Sequence, residues 1–193
     1  MNRIHRTTST LAACLLLALP ATGAEPEPWV QDSREAARMF GGKLMQELQA
    51  GLAVSPLQAI AVCKDRAGEI AAAEAERIGA PIGRTALRVR NPGNAPTDWQ
   101  RTVLEDFEAA RLAGQDLAAL EYVAVVDTGD AVERRWMKPI VMAPLCVTCH
   151  GATLTPGIAA AVAADYPEDA ATGFAPGELR GAFHVVWRTS PAP

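Results

Sequence analysis

The sequence predicts an α+β domain, with helices packed against a sheet of short antiparallel strands. Three observations lead there. The first third repeats apolar residues at helical spacing, the remainder contains short alternating stretches, and the breaks between them carry turn and capping residues. Both patterns recur within one chain of 193 residues, a length typical of one domain once a leader is removed.

The elements follow in order. Residues 25–31 are a Pro/Glu-rich lead. Over 32–50, Ala36, Met39, Phe40, Leu44 and Leu48 recur at three and four, predicting a helix that Gly41-Gly42 would weaken. Ser55-Pro56 is a capping hydroxyl followed by proline in the first turn, and opens a helix to about Ile78, ended by Gly79-Ala80-Pro81. On it Ile60, Cys63, Ala67 and Ile70 share a face. Residues 84–91 alternate as a strand, with Leu87 and Val89 on one face and Arg88 and Arg90 on the other. After the turn-rich NPGNAP, Thr97 and Gln100 form a capping box for a helix to about Ala113, with Trp99, Val103, Phe107 and Ala110 inward. Strands are expected at 121–127 and 132–142 around Thr128-Gly129-Asp130, with Pro139 marking an edge or bulge. Thr155-Pro156 starts a helix over 157–164, and 181–187 forms the last strand. Trp99 and Trp136 read as core.

Residues 1–24 have the layout of a signal peptide. Arg3 and Arg6 precede a short apolar run, and ATGA ends at Ala24 before EPEPW. The run is too short to span a bilayer, and no other stretch is long enough. Export to the periplasm is expected, leaving 25–193 as a single domain. Leu11-Ala12-Ala13-Cys14 resembles a lipoprotein cleavage box, but most of the apolar run follows Cys14 instead of preceding it. Loss of the leader removes Arg3 and Arg6 and no acidic residue, moving the net charge from −4 to −6. That balance argues against nucleic acid or an anionic membrane as partner, and permits a basic redox partner.

The chemistry lies in residues 146–150, CVTCH. Cys146, Cys149 and the immediately following His150 form the attachment pattern of a c-type haem: two thiols for the two porphyrin vinyl groups, then an imidazole under the iron. A zinc site would need a second ligand pair at similar spacing, and a redox Cys-X-X-Cys gives no reason for the trailing His. One covalently attached haem c is therefore expected. Of the four Cys, Cys14 leaves with the leader and two are taken by haem, so Cys63 is a single leftover thiol. From helix geometry alone, Cys63 is a small buried hydrophobe. The motif lies three-quarters of the way along the chain, unlike ordinary all-helical small cytochromes c, where it lies near the start.

Three segments together, VRNPGNAPTDWQ, CVTCHG and YPEDAATGFAPGELRGAF, resemble the single-c-haem sensor domains with a PAS-like fold, over roughly Ala36 to Trp187. The resemblance implies a central antiparallel sheet flanked by helices, with the N-terminal helices forming the distal haem side. For the best-studied type it also implies an iron held by the motif His and by a Cys from an N-terminal helix. The matching residue, in IAVCKDRAGEIA, is Cys63. His184, the other His of the mature chain, departs from the family pattern and is the alternative axial ligand. Met39, Met45, Met137 and Met142 are open in principle. Arg88, Arg90 and Arg180 are candidates for the haem propionates, since guanidinium pairs bidentately with carboxylate. The expected role is a sensor of redox state or of a diatomic gas, with a periplasmic one-electron carrier as alternative. An enzyme ranks last because no acid/base pair lies beside the motif. The signalling or redox partner is not readable from the sequence.

Overall fold

The computed structural model describes residues 26–189. The expected leader and Cys14 lie outside them. The described residues form an α+β unit of five α-helices and a four-stranded antiparallel sheet, the layout implied by the PAS-like resemblance. The helices are α1 (Pro28–Val54), α2 (Pro56–Ile78), α3 (Asp98–Leu112), α4 (Val147–His150) and α5 (Pro156–Asp165). The strands are β1 (Ile82–Thr85), β2 (Tyr122–Asp127), β3 (Val132–Val141) and β4 (Leu179–Thr189), in the order β1-β4-β3-β2. None of the described helices is long and apolar enough to cross a membrane.

Helices α1 and α2 form a hairpin across one face of the sheet. The break between them is local chemistry: Ser55 is extended, its Oγ accepts from the Gln58 N–H, and Pro56 starts the next helix. Helix α1 runs straight through Gly41-Gly42. A Cβ on Gly41 would lie 3.1 Å from the Phe183 ring, so glycine lets α1 approach β4 closely. The core on this face joins Phe40 and Leu44 of α1, Ala67 and Ile70 of α2, and Trp136 and Val185 of the sheet. The opposite face packs on α3 through Val103, Leu104, Phe107 and Met137. Helix α3 begins as expected, with Gln100 Oε1 accepting from the Thr97 N–H.

Pro139 sits in β3 opposite Ala182, beyond the last β2 pairing at Met137, so its missing N–H faces no strand. A register shift follows between Ile140 and Val141. The strand expected over 84–91 is corrected. Only Ile82–Thr85 pairs with β4, and the backbone beyond is engaged otherwise. The Ala86 N–H donates to the Asn94 carbonyl, the Val89 carbonyl accepts from Ala170, and the Arg88 carbonyl accepts from Arg180 Nη1. Arg88 and Arg90 therefore do not share a strand face.

Candidate functional site

Where β3 leaves the sheet, Pro144–Cys146 makes a 3-10 turn that runs into the single turn of α4. Helical spacing there turns Cys146, Cys149 and His150 toward one cleft. The walls of the cleft are mostly apolar, with a few polar side chains converging on it, which is the make-up of a cofactor site. The facing walls come from α1 (Gly41, Leu44, Met45), α2 (Ile60, Cys63) and β4 (Phe183).

His150 is fixed from several sides. Its Nδ1–H donates to the Ala171 carbonyl at 2.7 Å, its own carbonyl accepts from the Phe174 N–H at 2.9 Å, and its ring meets Phe174 edge-on at 6.4 Å. Burial, helped by the Arg180 and Arg90 charges, pushes its pKa down to about 3. The imidazole is thus neutral, with its proton on Nδ1 and the Nε2 lone pair free for a metal.

The loop that holds His150 is itself clamped. Asp169 Oδ1 accepts from the Ala171 N–H at 2.9 Å, and its two oxygens take Arg90 Nε and Nη2 at 3.0 Å each. Arg90 Nη2 also reaches the carbonyls of Cys149 (2.7 Å) and Ala171 (3.3 Å). Both side chains of the pair are less than a tenth exposed. Burial raises the Asp169 carboxyl, but the Arg90 fork and the Ala171 N–H outweigh it and hold the carboxyl below its usual range. Arg90 is thus committed to tying the motif to loop 166–174.

Cys63, half-buried on α2, lines the same cleft as the motif. Burial raises its thiol pKa, opposed chiefly by the Arg84 charge. His184 is placed elsewhere. Its neighbours Phe183 and Val185 belong to the α1/α2 face, so strand alternation turns His184 to the α3 side. There it stands between Gly83 and Met137 in the register, and a Cβ on Gly83 would lie 2.7 Å from its Nε2. The alternative of His184 as axial ligand is corrected on this ground: the sheet separates it from the motif. Of the methionines, Met45 lines the cleft, whereas Met137 packs against α3 and Met142 beneath the motif.

Among the arginine candidates, Arg180 lines the cleft and Arg88 does not; the Arg88 guanidinium lies 3.8 Å from the Phe174 ring centroid. Arg84 of β1 also lines the cleft and went unread in the sequence. Its signal was the alternation that drew attention to Arg88 and Arg90; the paired strand this pattern predicts extends only to Thr85. Asp169 carried no local signal. Trp136 is core, as expected, and Trp99 stacks on Tyr122 on the α3 side.

Comparison with curated proteins finds no match. Among solved structures, the crystal structure of the cyanobacterial heme-protein Tll0287 matches with a TM-score of 0.61 and 26% identity, over 88% of this chain and 100% of that one. A family model described as Tll0287-like matches residues 20–187, which include both cleft walls. The chain is a member of the Tll0287-like family.

Proposed function

We propose that the chain is an exported, periplasmic monohaem c-type protein whose haem is joined to Cys146 and Cys149 and ligated by His150 and Cys63, and that it senses redox state or a diatomic gas. The observation that carries this reading is the meeting of Cys63 with the CVTCH motif in one apolar cleft, from elements far apart in sequence. The printed description of the similar structure as a heme-protein supports the cofactor class. The residues present suit the group: a neutral His150 with a free Nε2, a pair of thiols one helical turn apart, a third sulfur on another wall, and guanidiniums on the wall of the cleft.

When bound, the haem supplies a one-electron couple and an exchangeable coordination position. The chain supplies the rest. Ala171 holds His150 in one tautomer, and Cys63 offers a thiolate that favours the ferric state and lowers the reduction potential relative to His/Met ligation. Burial raises the pKa of the free Cys63 thiol, so a Cys63 not bound to iron would hold its proton, and its place on α2 would tie its ligation to that helix. An electron carrier is the alternative, for which the net acidic chain suffices.

The purified exported protein is expected to give a haem c haemochrome. Its ferrous form is expected to bind CO while losing the thiolate absorption signature. Retention of six-coordination with unchanged ligands in both oxidation states, with rapid electron exchange, would favour carriage over sensing.

A further inference from the structure

Two of the cationic groups on the cleft wall have no anion to face. Arg84 and Arg180 both line the cleft, and among the described residues neither is paired with a carboxylate; the third arginine there, Arg90, is fully engaged by Asp169. Arg180 makes one long bond, Nη1 to the Arg88 carbonyl at 3.3 Å. Arg84 lies over the Phe40 ring at 5.6 Å with no side-chain hydrogen bond among the described residues. Burial lowers the pKa of both, that of Arg180 to about 10, with the Arg84 charge adding to the effect. Like charges held on an apolar wall are costly unless an anion sits against them.

We propose that Arg84 and Arg180 form the carboxylate-binding end of the cleft and take the two propionates of the haem. The assignment rests on the haem reading above. It removes Arg88 and Arg90 from that role, since Arg88 lies off the cleft and Arg90 is spent on the loop clamp. Cys63 would be a competing anion only if its thiol lost its proton, which burial opposes, and neither guanidinium donates a hydrogen bond to its sulfur. The planar fork of arginine matches two carboxylate oxygens better than one sulfur.

The test is resonance Raman spectroscopy of the ferric holoprotein with Arg84→Gln and Arg180→Gln, beside ferric EPR of the same samples. Each substitution is expected to shift the propionate-bending band and leave the low-spin EPR signature in place. Arg84→Lys and Arg180→Lys keep the charge without the fork, serve if a glutamine variant does not fold, and are expected to shift the band too. An unmoved band with an intact haem c haemochrome would overturn this assignment alone. A moved EPR signature with an unmoved band would overturn it in favour of Arg84 as partner of the Cys63 thiolate. A wild type without a haemochrome would overturn the haem reading and this assignment together.

Discussion

His150 and His184 are both kept neutral by burial. At His150 the Arg180 and Arg90 charges add to it and outweigh the Ala171 carbonyl, whereas His184 Nδ1 is buried with no hydrogen-bond partner among the described residues and burial alone pushes its pKa down to about 4. Between pH 6.5 and 4 the unfolded chain binds a proton at His184 that the native state refuses. The stability present above pH 6.5 is therefore lost as the pH falls toward 4, by about 2 kcal/mol at pH 5. His184→Leu should lose less stability than the wild type between pH 7 and pH 5 in urea denaturation. An equal loss in both would remove His184 from the explanation. A second single-residue effect concerns Gly83. Gly83→Ala drives a methyl into the His184 ring and should cost about 1–3 kcal/mol in the same experiment.

At the scale of elements, two ionic devices hold walls of the cleft. Between α1 and α2, Glu74 is 1% exposed and accepts from Lys43 at 2.6 Å and Arg77 at 2.7 Å. Burial raises its carboxyl, yet the two cations prevail and keep the pKa low, so its stabilisation is present at neutral pH and lost as the pH falls through the carboxylate range. Glu74→Gln should cost about 1–3 kcal/mol at pH 7, read from chemical denaturation, and less at pH 3. The second device is Arg90–Asp169. Asp169→Ala strands a buried guanidinium and frees Ala171, at about 3 kcal/mol. It should also broaden the ferric low-spin spectrum, because the carbonyl that orients His150 is no longer fixed. A variant spectrum as sharp as that of the wild type would show that the clamp does not orient the imidazole. Helix ends were legible because Ser55-Pro56 and Thr97–Gln100 act within a few residues of themselves. The end of β1 was not. The alternation of 84–91 is real, but partners from Asn94, Ala170 and Arg180, remote in sequence, take its backbone groups.

For the molecule as a whole, the sheet acts as a divider. It sets His184 on the α3 side and gathers Cys63, Arg84, Arg180 and CVTCH on the other. The layered α+β layout was readable because periodicity reports which face of each element is apolar. The motif was readable because its residues are contiguous. Cys63 was not readable from helix geometry, which makes any thiol on an apolar stripe look like packing. Only the resemblance singled it out as a ligand, and the fold brings it to the cleft. Arg90 was read as a propionate group because its partner Asp169 lies 79 residues away.

The measurement that bears most directly on the shared cleft is ferric EPR and absorption of the holoprotein against Cys63→Ser. The wild type should show the low-spin signature of thiolate and imidazole on one iron, and the variant should lose it while keeping haem bound through Cys146 and Cys149. An identical low-spin signature in the two proteins would contradict the account.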